Sequence, residues 1–259
     1  MKKFTSLFPG DSFIYFLTFL GLLVLSGIVF LFPVGFSEYR NTDSLAPLWY
    51  AITVTGGVYG SAGIIIALTL YLLIYFRKEP KKKSSVFFFT GTVLIFQILI
   101  SGSTLLYFKD FFRNPRPSQL YISERVSSDK SGKEFLTMPP EAKSLYLRKK
   151  IEENKKDFED VYPPILNSWS DESGFSFPSG HSETSFFLGT ILAFVIFKTG
   201  SKKYYIIIPV IWAVLVALSR VVIGVHFPAD VVAGSFIGLV MAYITISLKK
   251  IKIIFNKNI

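Results

Sequence analysis

Long blocks of apolar residues, rather than alternating or 3.6-residue patterns, dominate the chain. A helix needs about 20 apolar residues to cross the ~30 Å hydrocarbon core of a bilayer. Six blocks with almost no charge meet or approach that length, at about 13–34, 49–76, 86–108, 182–197, 204–218 and 231–248. The pattern predicts an all-α, polytopic membrane protein in which six transmembrane helices form a bundle.

The first apolar block follows directly on Met1, Lys2 and Lys3. A signal peptide would have a shorter apolar core and a cleavage site made of small residues. The block is longer than that and has no obvious site. We therefore expect it to be retained as the first transmembrane helix.

Lysine and arginine gather in alternate connections between the predicted spans, and this bias indicates the orientation. The chain start, the 77–83 and 198–203 connections and the segment after 248 hold fourteen of them against one acid, Glu79. Cytoplasmic loops carry such an excess. We therefore expect both termini to be cytoplasmic. The same bias accounts for the net charge of +10, so we expect the bilayer, and not nucleic acid, to be the partner of this basic chain.

One large polar segment, 117–177, lies between the third and fourth spans and forms an extracytoplasmic loop insertion in this topology. Its nine basic and eleven acidic residues do not prevent export, because long loops cross the membrane largely regardless of charge. Residues 139–160 look helical, since two prolines precede them and Pro163 and Pro164 follow. A partial apolar face is formed by Leu145, Leu147, Ile151 and Phe158. The segment is either a solvated connector or a lid over a site.

Cysteine is absent and histidine occurs only twice, as His181 and His226. Disulfide frameworks and thiolate metal sites are thereby excluded. Two histidines do not make a dedicated multi-histidine zinc site, so we expect no metal and no cofactor.

Two pairs of glycines are spaced by four residues, Gly56 with Gly60 and Gly234 with Gly238. Small residues at this spacing let transmembrane helices pack closely. We predict a packing role for both pairs and no chemical one.

A first polar cluster ends the third span and includes Lys109, Arg113, Arg116 and Pro117. Cations at a helix end can simply snorkel to the membrane surface. An Arg-Pro pair just outside the bilayer also suits a phosphate held by guanidinium.

A second cluster, Pro178-Ser179-Gly180-His181, precedes the fourth span. The free N–H groups at the start of that helix attract anions, and the Ser179 hydroxyl adds a donor. Read alone, the cluster favours a plain turn capped by Ser182 over a functional site.

A third cluster lies between the fifth and sixth spans and holds Ser219, Arg220, His226 and Asp230. The spacing lets Asp230 accept a hydrogen bond from His226, which would leave the other ring nitrogen free as a nucleophile. The alternative is a structural histidine beside an acid at a helix N-terminus.

All three clusters fall on the extracytoplasmic side of a topology drawn without them. Together they supply a nucleophile with an orienting acid, a second histidine as proton donor and three cations for a dianion. Phosphoryl transfer needs such a set, because its transition state spreads negative charge over the phosphoryl oxygens.

These clusters resemble the three-part motif of the type 2 phosphatidic acid phosphatase superfamily. The motif reads Lys-(six)-Arg-Pro, then Pro-Ser-Gly-His, then Ser-Arg-(five)-His-(three)-Asp. Every position is matched, by Lys109, Arg116 and Pro117, by Pro178, Ser179, Gly180 and His181, and by Ser219, Arg220, His226 and Asp230. The six-span layout extends the likeness to the whole chain as a single membrane phosphatase domain, 1–259.

The resemblance implies a role for each matched residue. His226 would be the nucleophile, Asp230 its orienting acid and His181 the proton donor to the leaving oxygen. The phosphate would be bound by Lys109, Arg116, Ser179, Gly180 and Arg220. The family needs no metal. Glu183 is not part of the motif, and we expect it only to cap the fourth span.

The long outer loop and the stretch 169–181 are similar to the bacterial phosphatidylglycerophosphate phosphatase B group. That likeness implies a bacterial cytoplasmic membrane protein that hydrolyses phosphatidylglycerophosphate, phosphatidic acid, diacylglycerol pyrophosphate or undecaprenyl pyrophosphate. A lipid A phosphatase or a lipid phosphotransferase would use the same site. A non-enzymatic lipid transporter would instead have polar groups deep in the spans, where only scattered Ser, Thr and Gln97 occur. The oligomeric state is left open.

Overall fold

The computed structural model describes residues 11–32, 45–126 and 137–255, and regular secondary structure in these ranges is helical throughout. Eleven α-helices are named here in chain order: α1 Ser12–Leu31, α2 Ala46–Thr55, α3 Val58–Tyr75, α4 Pro80–Phe112, α5 Pro117–Val126, α6 Pro140–Glu153, α7 Pro163–Asp171, α8 Gly180–Lys198, α9 Ile207–Val222, α10 Pro228–Ser247 and α11 Lys249–Ile254. Lys2, Lys3, Lys257 and most of the first short loop lie outside the described residues.

Six of these helices are long and apolar enough to cross a membrane: α1, α3, α4, α8, α9 with the short 3₁₀ turn before it, and α10. The chain is therefore an all-α polytopic membrane protein, as the apolar blocks predict. α8 is the most enclosed of the six, with 72% of its most apolar window buried. It forms the centre of the bundle, with α9 and α10 packed against it.

The sequence predicts one continuous helix over 49–76 as the second span, and this prediction is wrong. The helix is interrupted at Gly56 and Gly57, so that α2 ends at Thr55 and α3 starts at Val58. A Cβ at Gly60 would lie 2.2 Å from the Thr55 carbonyl oxygen, so this tight turn requires glycine there. Hydropathy does not reveal the break, because the residues on both sides of it are apolar.

The third span extends beyond the predicted 86–108, since α4 runs from Pro80 to Phe112. Its last part contains a π-helical turn, Thr104–Phe108, directly before Lys109. Such turns widen the helix locally and are frequent at functional sites. Lys109 thus lies in the final turn of the helix and not in a loop after it.

Gly234 and Gly238 allow α10 to touch α8, which confirms their predicted packing role. A Cβ at Gly234 would lie 2.3 Å from the Ser179 carbonyl oxygen, and one at Gly238 would lie 2.1 Å from that of Glu183. Any larger residue would force the two helices apart. The contact also places the start of α8 beside the start of α10.

The described residues of the segment between α4 and α8 form three α-helices, α5, α6 and α7. The predicted helix 139–160 is too long, because α6 ends at Glu153, and Pro163 starts α7 rather than ending α6. These helices enclose a small apolar core of their own, centred on Trp169. Its indole nitrogen donates to the Ile223 carbonyl oxygen (2.7 Å), which fastens the segment to the turn between α9 and α10.

The basic connections meet at one end of the bundle, away from that segment. Lys82 and Lys198 line a common surface pocket with Arg77 and Lys78. Lys198 is the last residue of α8, and Gly180 is the first. A helix of 19 residues is about 28 Å long at 1.5 Å per residue. The basic end and the start of α8 are therefore a membrane thickness apart.

Candidate active site

A cavity of about 940 Å³ lies where α3, α4 and the start of α8 meet the 137–175 segment. Both histidines of the chain, His181 and His226, line it. Three further predicted site residues, Lys109, Arg116 and Gly180, also form its wall. The structure thus brings together residues from three distant parts of the sequence.

His226 lies in the turn between α9 and α10 and is 2% exposed. Its Nε2 is 3.2 Å from Nη1 of Arg116. A guanidinium can only donate, so Nε2 holds the lone pair and Nδ1 holds the proton. Nδ1 faces Oδ2 of Asp230 at 3.4 Å, at the long end for a hydrogen bond.

Asp230 occupies the first turn of α10, where Pro228 begins the helix. Its Oδ2 also accepts from the Phe227 backbone N–H (2.9 Å), which holds the carboxylate in a capping arrangement. Its backbone carbonyl accepts from the N–H of Ser179 (3.0 Å). This last bond joins the second predicted cluster to the third.

Burial lowers the pKa of His226 well below its ordinary value, and the positive fields of Arg116 and Arg220 lower it further. The imidazole is therefore neutral at physiological pH. A neutral ring with its lone pair on Nε2, facing a cationic cavity, has the form that a nucleophile requires.

Arg116 is buried and held on several sides. Its Nε donates to the Gly174 carbonyl oxygen (2.9 Å), and its Nη1 donates to that of Val225 (3.0 Å). Nη1 also contacts a carboxylate oxygen of Glu172 at 3.1 Å. These bonds fix the guanidinium beside His226.

Arg220 lies behind the cavity wall and does not line the cavity directly. Its Nη1 donates to Thr53 Oγ1 (2.6 Å), and its Nη2 is bonded to both oxygens of Glu172. Its buried Nε–H has no partner among the described residues.

Glu172 is a site residue that the sequence analysis missed. Burial alone would raise its pKa, but the guanidinium groups of Arg220 and Arg116 outweigh that effect and hold the pKa well below its ordinary value. The carboxylate therefore stays ionised and lies as a negative charge between the two arginines. The sequence offers one weak signal, an acid nine residues before His181 in the 169–181 stretch.

The start of α8 points its free N–H groups toward the cavity. Ser179 is the N-cap, and its Oγ accepts hydrogen bonds from the backbone N–H (3.4 Å) and the hydroxyl (2.9 Å) of Ser182. Gly180 lines the cavity, and nothing lies within 4 Å of a Cβ built on it. This side of Gly180 therefore has room for a ligand.

His181 is placed against the break in the second span. A Cβ on Gly57 would lie 3.4 Å from its Nε2, and one on Gly56 would lie 3.6 Å from its Cδ2. Gly56 was assigned a packing role alone. The break between α2 and α3 thus also makes room for the imidazole.

Glu183 lies in the first turn of α8, but the side chain that caps the helix is that of Ser179. Glu183 is fully buried, and both of its carboxylate oxygens lie 2.9 Å from the Thr104 hydroxyl. Thr104 begins the π-helical turn that precedes Lys109. The contact therefore ties the start of α8 to the part of α4 that positions Lys109.

Lys109 lines the cavity and makes no ion pair within the described ranges. With Arg116, Arg220 and the start of α8, it surrounds the lone pair of His226 with positive charge. This arrangement can bind a phosphate dianion and stabilise charge that develops on its oxygens. Among the residues described, no group of three or more His, Cys, Asp or Glu side chains could hold a metal ion.

The fold and cavity define an integral membrane protein whose main described cavity is lined by two histidines and several cationic side chains. Its residues 86–253 match the model of the PAP2 superfamily. That match covers more than half of the chain, so the protein belongs to the PAP2 superfamily.

Curated relatives span most of the molecule at modest identity. Phosphatidylglycerophosphatase B of Haemophilus influenzae is 25% identical over 236 residues, which cover 87% of this chain and 92% of the relative. The protein of that name from Escherichia coli is 28% identical over 196 residues, 74% of this chain and 70% of the relative. Undecaprenyl-diphosphatase of Sulfolobus acidocaldarius is 36% identical over 75 residues, 29% of this chain and 34% of the relative.

Proposed function

We propose that this protein is a lipid phosphatase of a bacterial cytoplasmic membrane. It removes phosphate from phosphatidylglycerophosphate, phosphatidic acid, diacylglycerol pyrophosphate or undecaprenyl pyrophosphate. The observation that carries the proposal is the shared cavity, in which a neutral His226 and a second histidine lie among fixed cations. Membership of the superfamily and the names of the relatives support the substrate class.

His226 is the nucleophile in this proposal. Its Nε2 forms a bond to phosphorus as the bond from phosphorus to the lipid oxygen breaks. His181 delivers a proton to that oxygen, and Asp230 stabilises the proton on Nδ1 of His226. Water then attacks the phosphohistidine, with His181 as the base, and releases inorganic phosphate.

The phosphate is bound by Lys109, Arg116 and Arg220, together with Ser179 and the Gly180 amide at the start of α8. The cations neutralise the charge that spreads over the phosphoryl oxygens in the transition state. They perform the task that a metal ion performs in other phosphatases, so the reaction proceeds without one.

The lipid tail enters sideways, between α3 and α4. Apolar residues of both helices continue the cavity from Lys109 toward the bilayer, among them Ile65 on α3 and Leu94 and Ile98 on α4. This path keeps the chain of the lipid in an apolar environment while the head group reaches the cations.

The active site faces the extracytoplasmic side, and both termini are cytoplasmic. The basic connections at the opposite end of the bundle support this orientation, since cytoplasmic loops are enriched in lysine and arginine. The described parts of the 117–177 segment then lie outside the membrane, next to the cavity.

The test is phosphate release from a panel of lipid phosphates by the purified protein in the presence of EDTA. We expect turnover by the wild type and none above background in His226→Ala. With ³²P-labelled substrate, rapid quenching should trap an acid-labile, alkali-stable label on the wild type, as expected for phosphohistidine, and no label on His226→Ala. Size-exclusion chromatography checks that the variant is folded.

Near-normal turnover by a folded His226→Ala would overturn the mechanism. Strict dependence on an added divalent metal would overturn the metal-free proposal. Transfer of the label to a second lipid, without release of inorganic phosphate, would identify a lipid phosphotransferase that uses the same site. Lipid A as the preferred member of the panel would identify a lipid A phosphatase.

A further inference from the structure

Lys143 is a buried cation that the proposed mechanism does not use. It lies in the first turn of α6, in the segment outside the bundle, and is 1% exposed. Its Nζ lies 3.9 Å from the centre of the Phe175 ring, and it forms no ion pair with a described residue. A buried ammonium without a carboxylate partner is costly unless a ligand supplies the counter-charge.

Lys143 faces the cavity that holds the two histidines. Phe175 lies beneath its ammonium, and the preceding residue, Gly174, accepts the hydrogen bond from Nε of Arg116. Burial, followed by the positive fields of Arg116 and Arg113, lowers the pKa of Lys143 to about 8.

The acids that line this cavity do not neutralise Lys143. Glu172 is held by Arg116 and Arg220, and Asp171 is paired with Arg148 at the surface. Asp110 offsets the positive field at Lys143 only in part. Lys143 therefore extends the positive charge of Lys109, Arg116 and Arg220 toward α6.

We propose that Lys143 binds a second phosphate, next to the one that is removed, and thereby favours lipid diphosphates over lipid monophosphates. This inference rests on the proposed function. The terminal phosphate occupies the cations around His226, and the inner phosphate of the leaving group faces Lys143 across the cavity. A charge-assisted hydrogen bond from the ammonium stabilises the inner phosphate both in the bound lipid and as it departs.

Two substrates with one diacylglycerol tail, phosphatidic acid and diacylglycerol pyrophosphate, isolate the effect of the second phosphate. We expect Lys143→Met to lower the initial-rate kcat/KM for the pyrophosphate about tenfold, and that for phosphatidic acid about twofold or less. Lys143→Arg should retain the preference of the wild type. Lys149→Met is the matched control, because Lys149 lies on the same helix with a side chain that is 73% exposed.

A second measurement does not depend on turnover of the variant. Methylenediphosphonate should protect Lys143 of the wild-type protein from acylation by an amine-reactive reagent, as measured by mass spectrometry, at a concentration where inorganic phosphate does not. This readout decides the question if Lys143→Met fails to fold.

If Lys143→Met leaves the ratio of the two kcat/KM values unchanged, the inference is overturned. The proposed phosphatase activity of the wild type is unaffected by that result. Equal protection by phosphate and by the diphosphonate would also overturn the inference. Failure of the wild type to release phosphate from any lipid is a separate outcome and counts against the proposed function itself.

Discussion

Glu172 is the residue on which the arginines of the site depend. Its carboxylate joins Arg116, from the connection between α4 and α5, to Arg220, from the end of α9. Without an anion, two buried guanidinium groups would repel each other at this point. The Glu172 carboxylate therefore supplies the negative charge that offsets both guanidinium groups.

Glu172→Gln should destabilise the protein in the absence of anions. Removing one partner from a buried ion pair leaves uncompensated charge, and we expect a cost of about 3 kcal/mol. Inorganic phosphate should then raise the unfolding midpoint of the variant more than that of the wild type, since it supplies the missing charge. Thermal unfolding in detergent, with and without phosphate, measures both effects.

Asp171→Asn is the control for this substitution, because Asp171 forms an exposed ion pair with Arg148. Such pairs contribute about 1 kcal/mol or less. The folded-state pKa of Glu172 is lowered, so its stabilisation is complete above the ordinary value of 4.5 and is lost as the pH falls through the lowered value. The difference between variant and wild type should hence be constant between about pH 5 and pH 8. A variant as stable as the wild type, with no added response to phosphate, would contradict this account.

At the scale of elements, the contact between α8 and α10 brings the predicted catalytic residues together. α8 begins with Ser179, Gly180 and His181, while α10 begins beside His226 and Asp230. The two starts lie together because Gly234 leaves room for the Ser179 carbonyl. A change in this helix contact is thus a change in the site.

Gly234→Ala should lower kcat about tenfold or more, because an added Cβ would lie 2.3 Å from the Ser179 carbonyl oxygen and separate the two helix starts. Gly91→Ala and Gly27→Ala are matched controls, since nothing lies within 4 Å of a Cβ at either position. Phosphate release by the three purified variants is the measurement. Equal activity in all three would show that the helix contact does not position the site.

At the scale of the whole molecule, the charge distribution predicts how the bundle is inserted. The chain has no cysteine, so single cysteines introduced at the surface report their side without background. A membrane-impermeant maleimide should label Lys149→Cys, on α6, in intact cells. It should label Lys81→Cys, in the first turn of α4, only after lysis. The opposite pattern would place the cavity on the cytoplasmic side.

The amino-acid sequence by itself determined the class of protein and the elements that span the membrane. Long apolar blocks have few alternatives to transmembrane helices, because a backbone in hydrocarbon must satisfy its own hydrogen bonds. The motif residues could also be recognised from the sequence, since their spacing within each cluster is local. Their catalytic roles remain predictions.

Only the tertiary structure decided which residues connect the three motif clusters in space. The break at Gly56, the bonding of Glu183 to Thr104 and the position of Glu172 between two arginines all depend on contacts between residues far apart in the chain. From the sequence, Lys143 is expected to be one more charge on a solvated helix. In the structure it is buried over Phe175. Apolar patterning reports which residues avoid water, but partners across the bundle are set by how the helices pack, and no local pattern encodes that.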